Sequence, residues 1–193
     1  LTPDLGRIAT LAKGARRPKS PFQGKLDLFF LADFSFHRSR RSDLHNLREV
    51  SVRDFNPTLR RDLACLQQAA YFVQLLELTT ETETPLPGFF QLMCAALAAL
   101  SRQAPQSHTV LAFEIKWLHE LGLLPDFHQP GLTPGSTEIL KKLLRTDWNT
   151  VSRLRPMPSQ NSELAQFLAR CLIDHAGRIP AGRKAALKVE ESS

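Results

Sequence analysis

The chain reads as an α+β protein, strands first and helices after: a small β-barrel followed by an all-helical region. Hydrophobic residues alternate with period two through Lys25–His37 and again through Leu47–Phe55, and about four short strand candidates fall in the first sixty residues with no helical pattern between them. At Asn56–Pro57 the period changes and stays helical to about residue 176. Charge divides the chain near the same point. Residues 1–62 hold 13 Lys and Arg against 7 Asp and Glu, whereas residues 63–193 hold 12 of each. The expected division is a β domain over 1–56, a helical domain over 57–178 and a disordered tail over 179–193. With 193 residues and 42% hydrophobic side chains, both parts can bury a core.

The elements follow in order. Leu5–Leu11 is a short strand after the turn-like Thr2-Pro3-Asp4. A basic loop runs from Ala12 to Gly24. In the next strand Leu26, Leu28, Phe30, Ala32, Phe34 and Phe36 share the face expected to meet the core, with Phe29 and Leu31 among the polar residues opposite. Arg38–Asp43 is a charged turn. The alternation of Leu47–Phe55 is less clean. Asn56 has the chemistry of an N-cap and Pro57 suits the first helical position, so a helix is expected over 57–80. A second, over 87–102, is apolar nearly all round and is expected at the centre of the bundle. A third spans 107–122, a fourth starts at a Ser136 cap, a short one lies around 148–154, and the last runs over 159–176 with Gly177 closing it.

Few catalytic signatures are present. The chain lacks His-Glu-x-x-His, Gly-x-Ser-x-Gly and Cys-x-x-Cys. Gly14–Ser20 has the Lys-Ser ending of a phosphate loop but no glycine before the lysine, and Pro18 removes a backbone donor. The six histidines show no metal-ligand spacing, and Cys65, Cys94 and Cys171 stand singly in apolar helical patterns, which fits a reducing compartment. No catalytic residue, metal site or cofactor is therefore expected. No apolar run is long enough to cross a membrane as a helix, and the first residues do not read as a leader.

Binding chemistry is better represented. The run Ala12–Ser20 carries four cations and no anion, and its Gly and Pro force it to the surface. Lys13, Arg16, Arg17, Lys19 and Lys25 are expected to line one edge of the barrel face, with Arg38, Arg40 and Arg41 at the opposite end of the second strand. Such residues neutralise phosphates and release counterions. Phe22, within the loop, is the candidate for stacking on a base, with Phe29 behind it. A solubilising basic face and a surface for an acidic protein partner remain alternatives on composition alone.

Thr10–Ser20 (T-L-A-K-G-A-R-R-P-K-S), Phe22, the strand Leu26–Phe36 and Leu59–Leu63 (L-R-R-D-L) together resemble the bacterial recombination mediator RecO family. So do Phe113–Pro125 (F-E-I-K-W-L-H-E-L-G-L-L-P), Leu132–Ser136 (L-T-P-G-S) and Leu172–Arg178 (L-I-D-H-A-G-R). The resemblance implies an N-terminal OB-fold barrel and a helical C-terminal domain. It implies a non-enzymatic protein of the bacterial cytoplasm, associated with the nucleoid, that binds single- and double-stranded DNA and anneals complementary strands. It also implies docking to the acidic C-terminal tail of the single-strand-binding protein, and joining RecR to load RecA recombinase in the RecF pathway of repair. DNA contact carries over to Lys13, Arg16, Arg17 and Lys19. Two departures stand out: the family's first barrel strand is missing before Leu1, and only Asp126–Gly131 stands where many members carry a four-cysteine zinc module. An adaptor with weak nucleic-acid binding and an RNA-binding OB protein are the rival readings.

Overall fold

The computed structural model describes residues 1–127 and 131–188. It is α+β, with a short N-terminal sheet and a helical region after it. The strands are β1 (Ala9–Leu11), β2 (Leu31–His37) and β3 (Leu44–Asp54), in the order β1-β3-β2, with β1 parallel and β2 antiparallel to β3. Three strands stand where about four were expected, and they do not close into a barrel.

Local chemistry accounts for the shortened strands. Thr2 folds the start into a turn: its N–H donates to the Gly6 carbonyl at 2.8 Å and its Oγ1 accepts from the Leu5 N–H at 3.0 Å. Only Ala9–Leu11 is left extended. Ahead of β2, Gly24 (φ 69°) and Phe29 (φ 62°) take left-handed conformations that end extended pairing. Leu26 and Leu28 consequently lie exposed, against the expectation that they face the core. In β3, the partner of Ser35 is Glu49 but that of Phe36 is Leu47, so Arg48 is an extra residue, and Arg53 is a second near Leu31. Each such bulge shifts the alternation by one. That explains why His45 and Leu47 are buried ahead of the first bulge and Val50 after it.

Helices begin where a side chain caps them. Asn56 does not serve: it has φ 43°, and Pro57–Arg60 forms only a 3-10 turn. Helix α1 (Leu63–Thr79) starts instead at Asp62, whose Oδ1 accepts from the Ala64 and Cys65 N–H groups at 2.8 and 3.1 Å. Asn56 ties the two regions together, donating from Nδ2 to the Phe29 carbonyl at 2.8 Å and accepting from the Ser101 hydroxyl at 3.3 Å. Helix α2 is Pro87–Arg102 and α3 is Ser107–Glu120. The centre of the bundle is α3, not α2, because α3 is buried on nearly every side from His108 to Leu118. Helix α4 (Pro134–Arg145) is capped by Thr133, not Ser136; Thr133 Oγ1 accepts from the Ser136 N–H at 3.3 Å. Asp147 caps α5 (Trp148–Arg153), and α6 (Pro158–Ala176) ends at Gly177 with φ 71°.

The main core joins all these helices around stacked aromatics: Phe72 on Phe113 at 3.8 Å between centroids, Phe113 on Trp117 at 5.3 Å, and the edge of Phe89 against Trp117 at 4.3 Å. The tail is not disordered as far as residue 188. Helix α7 (Arg183–Leu187) packs into the bundle, and its Arg183 grips the fully buried Glu114 through bonds of 2.7 and 2.8 Å. The Tyr71 hydroxyl donates to the same carboxylate at 2.5 Å, and burial pushes that phenol well above the usual tyrosine range. Residues 189–193 of the expected tail, and 128–130 of the segment at the zinc-module position, lie outside the described residues. Among the described residues no helix is long and apolar enough to cross a membrane.

Candidate nucleic-acid interface

The basic loop is a wound platform, not a loose excursion. Five successive i→i+3 backbone bonds, from Ala15 N–H to the Ala12 carbonyl through Lys25 N–H to the Phe22 carbonyl, coil residues 12–25 at 3.0–3.2 Å. Gly14 (φ 77°) permits the first reversal, and the Arg17 stem lies over it, where a Cβ would stand 3.4 Å from Arg17 Cδ. Ala12, Ala15 and Phe22 form the apolar underside and pack against Leu47, Val50, Ala32 and Val52 of the sheet. Lys13, Arg16, Arg17 and Lys19 are left exposed on the upper side. Among the described residues no carboxylate pairs with any of the four.

Phe22 is 6% exposed, which corrects its assignment as a stacking residue: it is the bolt that holds the loop to the sheet. The aromatic ring offered to solvent is Phe34, at 36% exposure, which the alternation had placed on the core face. It stands in an open groove of about 480 Å³ between the loop and the β2–β3 sheet, together with Lys25 and Arg48. Arg48 was not anticipated; the phase slip at Leu47–Arg48 was the one sequence signal for it. Asp33 and Glu49 also border the groove, and Asp33 is held by Arg53 in an exposed ion pair. Phe29 packs on the helical core instead of facing out.

The second predicted cluster is divided. Arg40 and Arg41 are exposed in the β2–β3 turn with no acidic partner among the described residues. Arg38 is bound to Glu83 of the α1–α2 loop, whose other carboxylate oxygen lies 3.0 Å from Nε2 of the buried His45. The loop cations and Lys25 thus gather around one groove, while Arg38, Arg40 and Arg41 lie at the hairpin end of the same sheet.

The helical region has a larger cleft, about 1180 Å³, where α2 ends and α3 begins, beside the start of α1, the α5–α6 connection and α7. Arg102, Arg155 and Lys188 stand at it. Gln106 Oε1, Asn161 Oδ1 and Nε2 of the 5%-exposed His108 are buried there without a hydrogen-bond partner. Burial lowers the His108 pKa, so the ring favours its neutral form. Of three helical cations considered for an acidic peptide, Lys116 is already used: its Nζ donates to the Leu144 and Thr146 carbonyls at 2.7 and 2.8 Å, closing the end of α4. Arg170 lies over the Phe167 ring at 5.9 Å, and Arg145 is exposed. Among the described residues no group of three His, Cys, Asp or Glu side chains is placed to hold a metal ion.

Comparison with known proteins bears on the whole chain. Residues 1–55 match the model described as Recombination protein O N terminal, and residues 60–131 match Recombination protein O C terminal. The protein called DNA repair protein RecO in Rhodopirellula baltica is 34% identical over 125 residues, which are 65% of this chain and 46% of that one. Its namesake in Anaeromyxobacter dehalogenans is 33% identical over 65% of this chain and 49% of its own length. The Synechococcus elongatus protein of that name is 29% identical over 171 residues, 88% of this chain and 61% of its own. The chain spans about half the length of the first two relatives. Both halves of one family's pattern occur in order along this strand-then-helix fold, and the chain belongs to the RecO family of recombination proteins.

Proposed function

We propose that this chain is a non-catalytic DNA-binding mediator of recombinational DNA repair. It binds single- and double-stranded DNA along the basic loop and groove, anneals complementary strands, and helps to load RecA on gaps coated by the single-strand-binding protein. The observation that carries the reading is the platform itself: Lys13, Arg16, Arg17 and Lys19 are exposed, unpaired among the described residues, and held over an apolar bolt. Cations fixed in this way meet a phosphate backbone with little ordering cost, and their contacts are indifferent to sequence, as annealing requires. Phe34 supplies a ring for a base, with Lys25 and Arg48 beside it for the adjoining phosphates. The relatives' printed name, DNA repair protein, supports the same role.

The helical region then serves partners, RecR and the acidic tail of the single-strand-binding protein among them. The cleft beside α7 favours the tail: cations at its edge suit carboxylates, aliphatic and proline walls suit an apolar side chain, and unpaired buried acceptors suit peptide N–H groups. The charge reversal Arg16→Glu/Arg17→Glu tests the reading. Loss of strand annealing and oligonucleotide binding, with an unchanged thermal midpoint, is expected. Retained annealing would overturn the loop's role and favour an adaptor that works through the cleft. Competition between DNA and RNA of one sequence addresses the RNA-binding rival.

A further inference from the structure

We infer that Arg38 is a shared cation, exchanged between Glu83 and a nucleic-acid phosphate, so that phosphate binding at the β2–β3 turn is coupled to the joint between the sheet and the helices. The coupling rests on the phosphate-binding reading above. Of the three arginines in that turn, Arg38 alone has an acidic partner among the described residues, and that partner comes from the α1–α2 loop. Glu83 is held in an unusual way. Its φ is 55°, a left-handed conformation in a residue that carries a side chain. Its N–H donates to the Arg7 carbonyl at 2.7 Å, next to the parallel bridge between Arg7 and Thr82. Arg7 returns the contact, donating from Nη2 to the Thr80 carbonyl at 2.6 Å.

His45 completes the arrangement. Its ring stacks on Phe36 at 5.1 Å, its Nδ1 accepts from the Ser39 N–H at 3.4 Å, and its Nε2 faces Glu83. Glu83 therefore ties a residue of the turn and a residue of β3 to the loop between α1 and α2. A phosphate that engages Arg38 in the company of Arg40 and Arg41 competes with this carboxylate. When it wins, Glu83 keeps only His45, and the left-handed backbone at Glu83 loses a contact that holds it in place. Linkage makes the effect reciprocal: whatever displaces the 80–84 loop changes the affinity of the turn for phosphate.

The test is a double-mutant cycle read by fluorescence anisotropy with a single-stranded oligonucleotide, on wild type, Glu83→Gln, Arg38→Ala and the pair. Freeing Arg38 is expected to tighten binding by Glu83→Gln several-fold and to steepen the log–log salt slope by about 0.7, one added phosphate contact on a single strand. In the Arg38→Ala background the same change is expected to do neither. Hydrogen exchange at the Glu83 amide of the wild type should quicken when the oligonucleotide is added. An equal gain from Glu83→Gln with and without Arg38 would reduce Glu83 to a general charge effect and overturn the coupling. So would oligonucleotide binding that Glu83→Gln leaves unchanged. Failure of the wild type to bind the oligonucleotide would instead sink the phosphate-binding reading itself.

Discussion

Phe22→Ala removes the bolt beneath the basic loop. The sheet's own core is small, built on Phe22, Leu47 and Val50, so the cavity has little around it to collapse. A loss of about 3 kcal/mol is expected for the change, measured by urea unfolding. Phe34→Ala should behave in the opposite sense, weakening single-strand binding by roughly 1–3 kcal/mol with no loss of stability. The two rings could not be sorted from sequence. Period-two alternation placed Phe34 inward, but an open sheet leaves that position at the surface, and only tertiary packing buries a phenylalanine inside a basic loop. The cations were legible, because four charges beside a glycine and a proline have nowhere but the surface to go. His108 carries a pH prediction. Burial lowers its pKa, so the unfolded chain binds its proton first, and this contribution to stability is present above the unfolded value of about 6.5 and is lost as pH falls below it. His108→Gln should flatten the pH dependence of the unfolding free energy in that window.

Among the elements, α7 is the one with the most consequence for its size. Five residues attach to the bundle through polar bonds: Arg183 to Glu114, the Gly182 N–H to Gln74 Oε1 at 2.9 Å, and the Ala186 carbonyl to Gln68 Nε2 at 3.0 Å. Arg183→Ala leaves Glu114 as a buried charge with only the Tyr71 hydroxyl beside it, and a cost of about 3–5 kcal/mol is expected in thermal or urea unfolding. Arg183→Ala/Glu114→Leu should recover part of that loss, since no unpaired charge remains. Sequence reading took this segment for a frayed tail, because a short helix joined by polar contacts shows no hydrophobic period. The longer helices were legible to within a few residues for the opposite reason. Their starts were misjudged where two capping residues competed: Asp62 over Asn56, and Thr133 over Ser136. The better cap is the one whose backbone stays extended, which spacing alone does not reveal.

For the whole molecule, the excess charge sits on the strand-bearing third, and the helical part has no net formal charge. That polarity is physical as well as sequential, since the basic loop is wound over the sheet while Glu83 and Asn56 join the sheet to the bundle. The α+β order was readable from the change of period at Asn56. The open edge of the sheet and its bulges were not, because pairing between distant strands leaves only a faint phase slip in the sequence. The central claim is that the loop binds phosphate. Its most direct measurement is the salt dependence of single-stranded oligonucleotide affinity for wild type and Arg16→Ala/Arg17→Ala. Each phosphate contact contributes about 0.7 to the log–log slope, so loss of two is expected to flatten it by roughly 1.4 while the unfolding midpoint stays put. Equal slopes for the two proteins would contradict the account.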